Sequence, residues 1–226
     1  GALPGDAYMM GIDTTRQRGM MMESLEAVLA LWRDEGPVDR VTDWFTLRDA
    51  RLQLRPYTRP TPEVSVAATF SPSGPVAAGT FGVGLLSIAA TQRKAFDALA
   101  RHWATAQETA AAHGTEVARD GWRLAGPMHI AESMDQARRD VESGLTYWVD
   151  YFTEVGAIPI LGDFERGSDV VDAVNDSGVG VIGTPDMAID QLHRLERQSG
   201  GFGTYLLMAH EWANREATLR SYELIS

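Results

Sequence analysis

The sequence predicts an α/β protein whose parallel sheet forms part of a (β/α)8 barrel. Three observations support this prediction. Short apolar runs that suit buried strands alternate with segments whose apolar residues recur at helical spacing. Capping residues open several of these helical segments, and glycines end them. The 226 residues have room for about half the strand–helix units of a complete barrel. A complete flavodoxin-like open sheet is the alternative.

The chain opens on a segment broken by glycine and proline, Gly1–Tyr8, which predicts a loop. Apolar residues at spacings of three and four then predict a helix over Met20–Trp32. Loops of this kind normally connect a strand to a helix, yet no strand stands before Gly1. The pattern by itself leaves open what precedes this loop.

The first two strands are predicted on either side of a short helix. Glu63–Thr69 is rich in Val and Ala and predicts a strand, which Phe70–Pro75 breaks with serine, proline and glycine. Val76–Gly82 predicts a short helix that ends at glycine. The apolar run Val83–Ala89 is typical of a strand buried on both faces.

A longer helix follows, with Thr91 expected to cap it and Gly114 expected to end it. The third strand is predicted over Trp122–Ala131. Ser133 and Gln136 then form a capping box, which predicts the start of a further helix over the stretch MDQARRDVESGLTYWVDYF.

The last part of the chain begins with a predicted irregular insertion at residues 153–180, where glycine, proline and charges obscure any periodicity. Val179–Gly183 predicts a further short strand. Thr184 at the N-cap and Pro185 at the first helical position predict the next helix. Thr204–His210 predicts the last strand, before a closing helix.

The composition narrows the possible functions. The 31 acidic residues outnumber the 20 basic ones, and a net charge of −11 disfavours broad contact with nucleic acid. No apolar run is long enough to span a membrane. The sequence has no cysteine, which excludes disulfides and thiolate chemistry and fits a reducing, cytoplasmic location. No histidines have the spacing of a metal site, so we predict no metal.

Several stretches of the sequence resemble the bacterial luciferase-like flavin monooxygenases, particularly the limonene 1,2-monooxygenase-like branch. These stretches, which occur in family order and span nearly the whole chain, are GALPGDAYMMGID, QRGMMMESLEAVL, DWFTLRDARLQLRPY, SPSGPVAAGTFGVGLLS, VIGTPDMAI and GGFGTYLLMAHEWANREATLRSYEL. The resemblance implies the C-terminal half of a TIM barrel, roughly strands five to eight with their helices. The loop Gly1–Tyr8 would then follow strand four. We expect this extent of chain to show no monooxygenase turnover by itself.

The resemblance also implies the chemistry. Members of this family bind reduced FMN or, in a sister branch, the deazaflavin F420. The full-length protein is therefore expected to use reduced FMN, supplied by a flavin reductase, and O2 to oxidise a small apolar substrate. Two alternatives remain open: an F420-dependent oxidoreductase, and a non-catalytic half-barrel that binds flavin and self-associates. The exposed strand edges of a half-barrel favour a homo-oligomer.

Ser71, Ser73 and Gly74 are the candidate residues for binding the cofactor phosphate. They follow a predicted strand and precede a helix, so their hydroxyl and N–H groups would meet an anion at a helix N-terminus. In the family that this sequence resembles, the loop after strand five touches the flavin phosphate. An ordinary turn and cap is the alternative. Arg18, with Arg16 as its neighbour, matches a family arginine near the phosphate; a solvated surface arginine is the alternative.

His210 is a weak candidate for a catalytic residue, because it ends the last predicted strand and barrel active sites lie at strand C-termini. Glu211 follows it directly and would point to the opposite face of the strand, so the two do not pair. Structural burial or helix capping is the alternative for His210. His129 is expected in the core. The three histidines in helical patterns are predicted to be exposed: His102, His113 and His193.

Overall fold

A computed structural model describes residues 4–59, 61–156, 160–161 and 169–226. The chain divides into two compact units, and the boundary lies between Val64 and Ser65. Unit 1 denotes the part before this boundary and unit 2 the part after it. Within the described ranges, no helix is both long enough and apolar enough to cross a membrane.

The described part of unit 1 consists of α1 (Pro4–Met9), α2 (Gln17–Arg33), β1 (Val38–Val41) and β2 (Thr46–Ala50). Helix α2 confirms the helix predicted over Met20–Trp32. The loop predicted over Gly1–Tyr8 is wrong from Pro4 onwards, because α1 begins there. Proline suits the start of a helix, and Asp6 places a negative charge near its positive end.

Strands β1 and β2 form an antiparallel hairpin that the sequence does not predict. Both strands are half exposed and carry charged residues, so they show neither an apolar run nor a clean alternation. The turn is held by local bonds: the N–H of Phe45 donates to Thr42 Oγ1 at 2.9 Å. Trp44 Nε1 donates to Glu23 Oε2 of α2 at 2.7 Å, which ties the hairpin to that helix.

Unit 2 alternates strands and helices. In chain order its elements are β3 (Ser65–Ala68), α3 (Ser73–Phe81), β4 (Gly84–Ser87), α4 (Ala98–His113), β5 (Trp122–Gly126), β6 (Met128–Ile130), α5 (Met134–Val141), α6 (Leu145–Asp150), α7 (Val170–Ser177), β7 (Val181–Gly183), α8 (Pro185–Ser199), β8 (Thr204–Leu207) and α9 (Arg215–Ile225). Short 3-10 turns at Arg93–Ala95 and Arg119–Gly121 precede α4 and β5, and a π-helical turn, Tyr151–Val155, continues α6.

Strands β3, β4, β5 and β8 pair in that order as a parallel sheet. The predicted α/β class with a parallel sheet is confirmed. In the register, Leu86 lies between Ala67 and Arg123, and Ala125 lies beside Leu206. Because side chains alternate along a strand, these residues share one face of the sheet.

The opposite face of the sheet packs against helices, as the outside of a barrel does. Leu85, Trp122 and Leu124 of the sheet form one buried cluster with Leu99 and Trp103 of α4. The indole rings of Trp103 and Trp122 stack with centroids 5.2 Å apart. Each fully buried leucine stabilises the fold by about 1.5–3 kcal/mol relative to an exposed one. This cluster fixes α4 on the sheet.

The single strand predicted over Trp122–Ala131 is wrong, because Pro127 divides it. Proline has no N–H for a sheet, and the chain leaves the main sheet at this point. The residues before it form β5, whereas those after it form β6, which pairs in parallel with β7. The carbonyl of Pro127 accepts from the N–H of Val181 at 3.2 Å. Proline thus marks the switch between two sheets.

The cap predicted at Thr91 is also wrong. Helix α4 begins only at Ala98, and no side-chain hydrogen bond caps its N-terminus. The hydroxyl of Thr91 is buried and donates to the carbonyl of Val179 at 2.7 Å. It therefore joins the loop after β4 to the segment before β7.

The helix predicted after Ser133 is shorter than expected. Ser133 Oγ accepts from the N–H of Gln136 at 3.3 Å, which confirms the N-cap. The Gln136 amide donates to Asp140 at 2.6 Å instead of closing a capping box. Helix α5 ends at Val141, and α6 begins after Gly144, whose missing side chain leaves room for the backbone that follows β8.

The irregular insertion predicted at residues 153–180 contains helix α7, Val170–Ser177. Asp169 opens it, because its carboxylate accepts from the N–H groups of Val171 and Asp172 at 2.9 and 3.2 Å. With only 8 residues, this helix is too short for a clear periodic signal. Residues 157–159 and 162–168, also inside the predicted insertion, lie outside the described ranges.

Gly79 lies inside α3, where alanine would ordinarily stabilise a helix by up to about 1 kcal/mol. A Cβ at this position would lie 2.5 Å from the carbonyl oxygen of Ala106 and 2.7 Å from Thr109 Cβ, both on α4. Gly79→Ala is therefore expected to lower the free energy of unfolding by about 1–3 kcal/mol, as measured by urea denaturation.

Gly19 provides the matched control, because it lies inside α2 with nothing within 4 Å of a Cβ built on it. Gly19→Ala is expected to leave stability unchanged or to raise it. A Gly79→Ala protein as stable as the unmodified one would contradict the close contact between α3 and α4.

Candidate functional site

The C-terminal ends of parallel strands meet at one edge of a sheet, and α/β barrels bind their ligands at that edge. In unit 2 the ends of β3, β4, β5 and β8 form this edge. Residues Thr69–Gly74, which we call the β3–α3 loop, leave it at β3. His210 lies in the segment that leaves it at β8.

The β3–α3 loop holds two hydroxyl groups side by side. Ser71 Oγ and Ser73 Oγ are 2.7 Å apart and half-buried. One hydroxyl donates to the other, so one O–H remains free to donate to a ligand. Pro72 occupies the N-cap of α3, and no side-chain hydrogen bond caps this helix. Its positive end and the hydroxyl pair together can bind a small anion.

Gly74 is buried and lets α3 begin close to β3. A Cβ at this position would lie 2.7 Å from both the carbonyl oxygen of Ala67 and the Cβ of Ala68. The helix–strand contact therefore requires glycine here, whether or not a ligand binds. The structure places all three predicted phosphate residues in one loop, and their role in binding stays a prediction.

His102, predicted to be exposed, is buried with 4% of its surface accessible, so that prediction is wrong. Its Nε2 lies 3.3 Å from the carbonyl oxygen of Phe70, inside the β3–α3 loop. The sequence did contain a signal: His102 lies three residues after Leu99 and four before Ala106, which places it on the buried face of α4. His113 and His193 are exposed as predicted.

Arg16 and Arg18 lie at the start of α2 in unit 1. Arg16 is the N-cap residue and forms an ion pair with Asp43. Arg18 is exposed and has no ion pair with any residue that the structure describes. The charge of Arg16 is therefore already matched, whereas that of Arg18 is available to a ligand.

His210 is fixed by backbone groups through both nitrogens. Its Nε2 lies 2.9 Å from the carbonyl oxygen of Met128, so this nitrogen carries the hydrogen. Its Nδ1 accepts from the N–H of Trp212 at 3.4 Å, and the two rings stack with centroids 3.8 Å apart. A catalytic role would require one of these bonds to break.

Burial lowers the pKa of His210, and the neighbouring His129 lowers it further, whereas the bond to the Met128 carbonyl opposes the shift. His129 is fully buried, as predicted for a core residue. Its Nε2 lies 3.1 Å from Asp140 Oδ2, a pairing that the sequence does not predict. Asp140 comes from α5, which packs beside β6, so only the tertiary fold brings the two together.

Asp140 also lines a polar cavity of about 320 Å³ between α5 and α9. Glu132 and Arg220 line the same cavity and form an ion pair at 2.7 Å. Across the described ranges, no three His, Asp or Glu side chains come together as a metal site.

Comparison with solved structures defines the class of fold. The chain superimposes on the type II Baeyer–Villiger monooxygenase of Pseudomonas putida, the oxygenating constituent of 3,6-diketocamphane monooxygenase, solved in complex with FMN. The TM-score is 0.72 at 23% identity, over 100% of this chain and 67% of that one. This likeness shows that the chain has the α/β fold of that structure. The luciferase-like monooxygenase family model matches residues 3–202, and the chain belongs to that family.

The sequence is also similar to two enzymes of known name, which confirms the resemblance noted from its motifs. It is 44% identical to limonene 1,2-monooxygenase of Rhodococcus erythropolis and 36% identical to 4-hydroxyprotoasukamycin monooxygenase of Streptomyces nodosus subsp. asukaensis. Both similarities extend over 100% of this chain, which spans 57% and 62% of the length of these relatives.

A histidine whose pKa is lowered by folding binds its proton more readily in the unfolded chain. The contribution of such a histidine to the free energy of unfolding is fully present above a pH of about 6.5, the pKa of histidine in the unfolded chain. This contribution decreases as the pH falls below that value. We expect the free energy of unfolding to decrease on acidification, with His210 contributing at most about 1.4 kcal/mol per pH unit. Urea denaturation between about pH 7.5 and 5 measures this slope.

His210→Gln should make the pH profile shallower, because its amide can donate to the Met128 carbonyl without taking up a proton. His193→Gln, on the exposed side of α8, is the matched control for replacing a histidine outside the core. Identical slopes for the unmodified chain and His210→Gln would show that burial does not disfavour the charged ring.

Proposed function

We propose that this chain supplies the flavin-phosphate site of a monooxygenase that uses reduced FMN and O2 to oxidise a small apolar organic substrate. Membership of the family supports this proposal, as do the relatives named as monooxygenases and the similar structure solved with FMN. The observation that carries it is the hydroxyl pair of Ser71 and Ser73 at the uncapped end of α3.

The residues present fit the phosphate of FMN. A phosphate accepts hydrogen bonds only, and the β3–α3 loop offers a free hydroxyl hydrogen and the positive end of a helix. Bound reduced flavin would supply the electrons for reaction with O2. The role of the chain itself is to bind and orient the cofactor. The serines would bind the phosphate, and the edge of the sheet would limit where the rest of the cofactor can lie.

Arg18 is a separate candidate for phosphate recognition. Its guanidinium is exposed, and no acidic residue among those described pairs with it. A planar guanidinium can hold two phosphate oxygens at once. The substitution Arg18→Ala tests this role independently of the serines.

The apolar character of the proposed substrate is supported by the sheet face opposite the helices. Leu86, Ala125 and Leu206 share this face. Arg123 also lies on it, and its guanidinium donates to Ser65 Oγ, at the start of β3, at 3.1 Å. Leu206 remains 37% exposed, and Ile88, just beyond β4, remains 41% exposed. Apolar surface of this kind binds apolar groups by excluding water.

The same exposed face favours the second candidate, a flavin-binding half-barrel that self-associates. Light scattering during size-exclusion chromatography is expected to show a homo-oligomer of the 24.7 kDa chain. A folded, strictly monomeric chain would contradict this candidate.

A flavin reductase is the proposed partner of the full-length enzyme under the first proposal.

The phosphate proposal predicts a difference between FMN and riboflavin, which lacks the phosphate. Replacing both Ser71 and Ser73 by alanine is expected to weaken FMN binding about 10- to 100-fold, because hydrogen bonds to a charged group contribute about 1.5–3 kcal/mol. Riboflavin affinity should not change. Titration followed by flavin fluorescence measures both dissociation constants.

Ser226→Ala at the exposed chain end is the matched control and should bind both flavins as the unmodified chain does. Equal loss of FMN and riboflavin affinity in the double variant would place the phosphate elsewhere. A parallel titration with F420 decides between the two cofactors: preference for F420 would favour the F420-dependent oxidoreductase.

A further inference from the structure

We infer that His102 is a positioning residue for the phosphate: it donates a hydrogen bond to the Phe70 carbonyl and thereby orients the β3–α3 loop towards the cofactor. The inference rests on the proposed function, because it names a residue that supports the same site without touching the ligand.

The hydrogen bond between His102 and Phe70 has a defined direction. The carbonyl oxygen can only accept, so Nε2, 3.3 Å away, must carry the hydrogen. The other ring nitrogen, Nδ1, is buried and has no partner among the described residues. The bond to the loop is therefore the one hydrogen bond that the ring makes within the described structure.

Burying this imidazole has an energetic cost that packing alone does not explain. Burial lowers the pKa of His102, nearby Arg101 lowers it further, and the bond to Phe70 partly opposes the shift. An aliphatic side chain would fill the same space without a buried, unpartnered nitrogen. What histidine adds at this position is a donor for the Phe70 carbonyl.

The carbonyl of Phe70 and the N–H of Ser71 belong to the same peptide plane. In a trans peptide these two groups point in opposite directions. A carbonyl held towards α4 by His102 therefore directs the Ser71 N–H away from α4. The peptide plane thus sets the direction of the Ser71 N–H, in the loop where the hydroxyls of Ser71 and Ser73 lie 2.7 Å apart.

Helix α4 is a rigid support for this bond. Trp103, next to His102, stacks on Trp122 of the sheet with centroids 5.2 Å apart. Gly79 of α3 lies so close to α4 that a Cβ would be 2.5 Å from the Ala106 carbonyl. The helix that carries His102 and the helix that follows the loop are therefore held together, and His102 fixes the chain that leads into α3.

Three substitutions at His102 separate the effect of its hydrogen bond to Phe70 from the effect of the packing of its ring. His102→Gln keeps an amide donor near the position of Nε2, His102→Leu removes the donor, and His102→Asn is too short to reach Phe70. We expect the Leu and Asn proteins to bind FMN about 10-fold more weakly with riboflavin affinity unchanged, and Gln to restore FMN binding to within about 3-fold. His193→Leu, at an exposed position, is the control.

Titration of each protein with FMN and riboflavin gives the ratio of the two dissociation constants. An unchanged ratio in the Leu and Asn proteins would overturn the positioning role while leaving the proposed phosphate site intact. If the unmodified chain does not prefer FMN to riboflavin, the proposed function fails and this inference fails with it.

Hydrogen exchange without ligand provides a second, independent readout. Amides of the β3–α3 loop should exchange about 10-fold faster in His102→Leu and at the unmodified rate in His102→Gln. Unchanged loop exchange in His102→Leu would overturn the inference whatever the flavin titrations show.

Discussion

The close packing of α3 determines where the candidate site lies. Gly74 allows its first turn to touch the end of β3, and Gly79 allows its middle to touch α4. A side chain at either position would force the helix outwards. Because the helix is held from both sides, the loop before it presents its serine hydroxyls at the C-terminal edge of the sheet. The proposed site is therefore a consequence of helix packing.

The electrostatics of the protein make a local site necessary. A net charge of −11 repels a phosphate at long range, so binding has to come from donors at close range. The positive end of α3 and the hydroxyl pair provide such donors without a buried charge. His102, whose pKa burial lowers, supports the loop in its neutral form.

The parts of the fold that depend on local sequence could be predicted, and those that depend on distant partners could not. The strands of the main sheet were visible as apolar runs because residues of each strand pack in one buried cluster with the helices on one face of the sheet. Pro127 was visible too, but its effect depends on β7, far along the chain. The position of Thr91 in the sequence predicted a helix cap, whereas in the structure its hydroxyl donates to the carbonyl of Val179, far along the chain. For the candidate site, Ser71 and Ser73 could be identified from the sequence. The hydrogen bond from His102 of α4 to the Phe70 carbonyl could not be predicted, because it depends on how α4 packs.

A crystal structure of the protein with FMN tests the central claim most directly. The distances to be measured join the phosphate oxygens of FMN to Ser71 Oγ and Ser73 Oγ. The proposed site predicts that at least one of these distances falls in the range of a charge-assisted hydrogen bond, about 2.5–2.9 Å. A phosphate bound at another position, with the β3–α3 loop making no contact to it, would contradict the account.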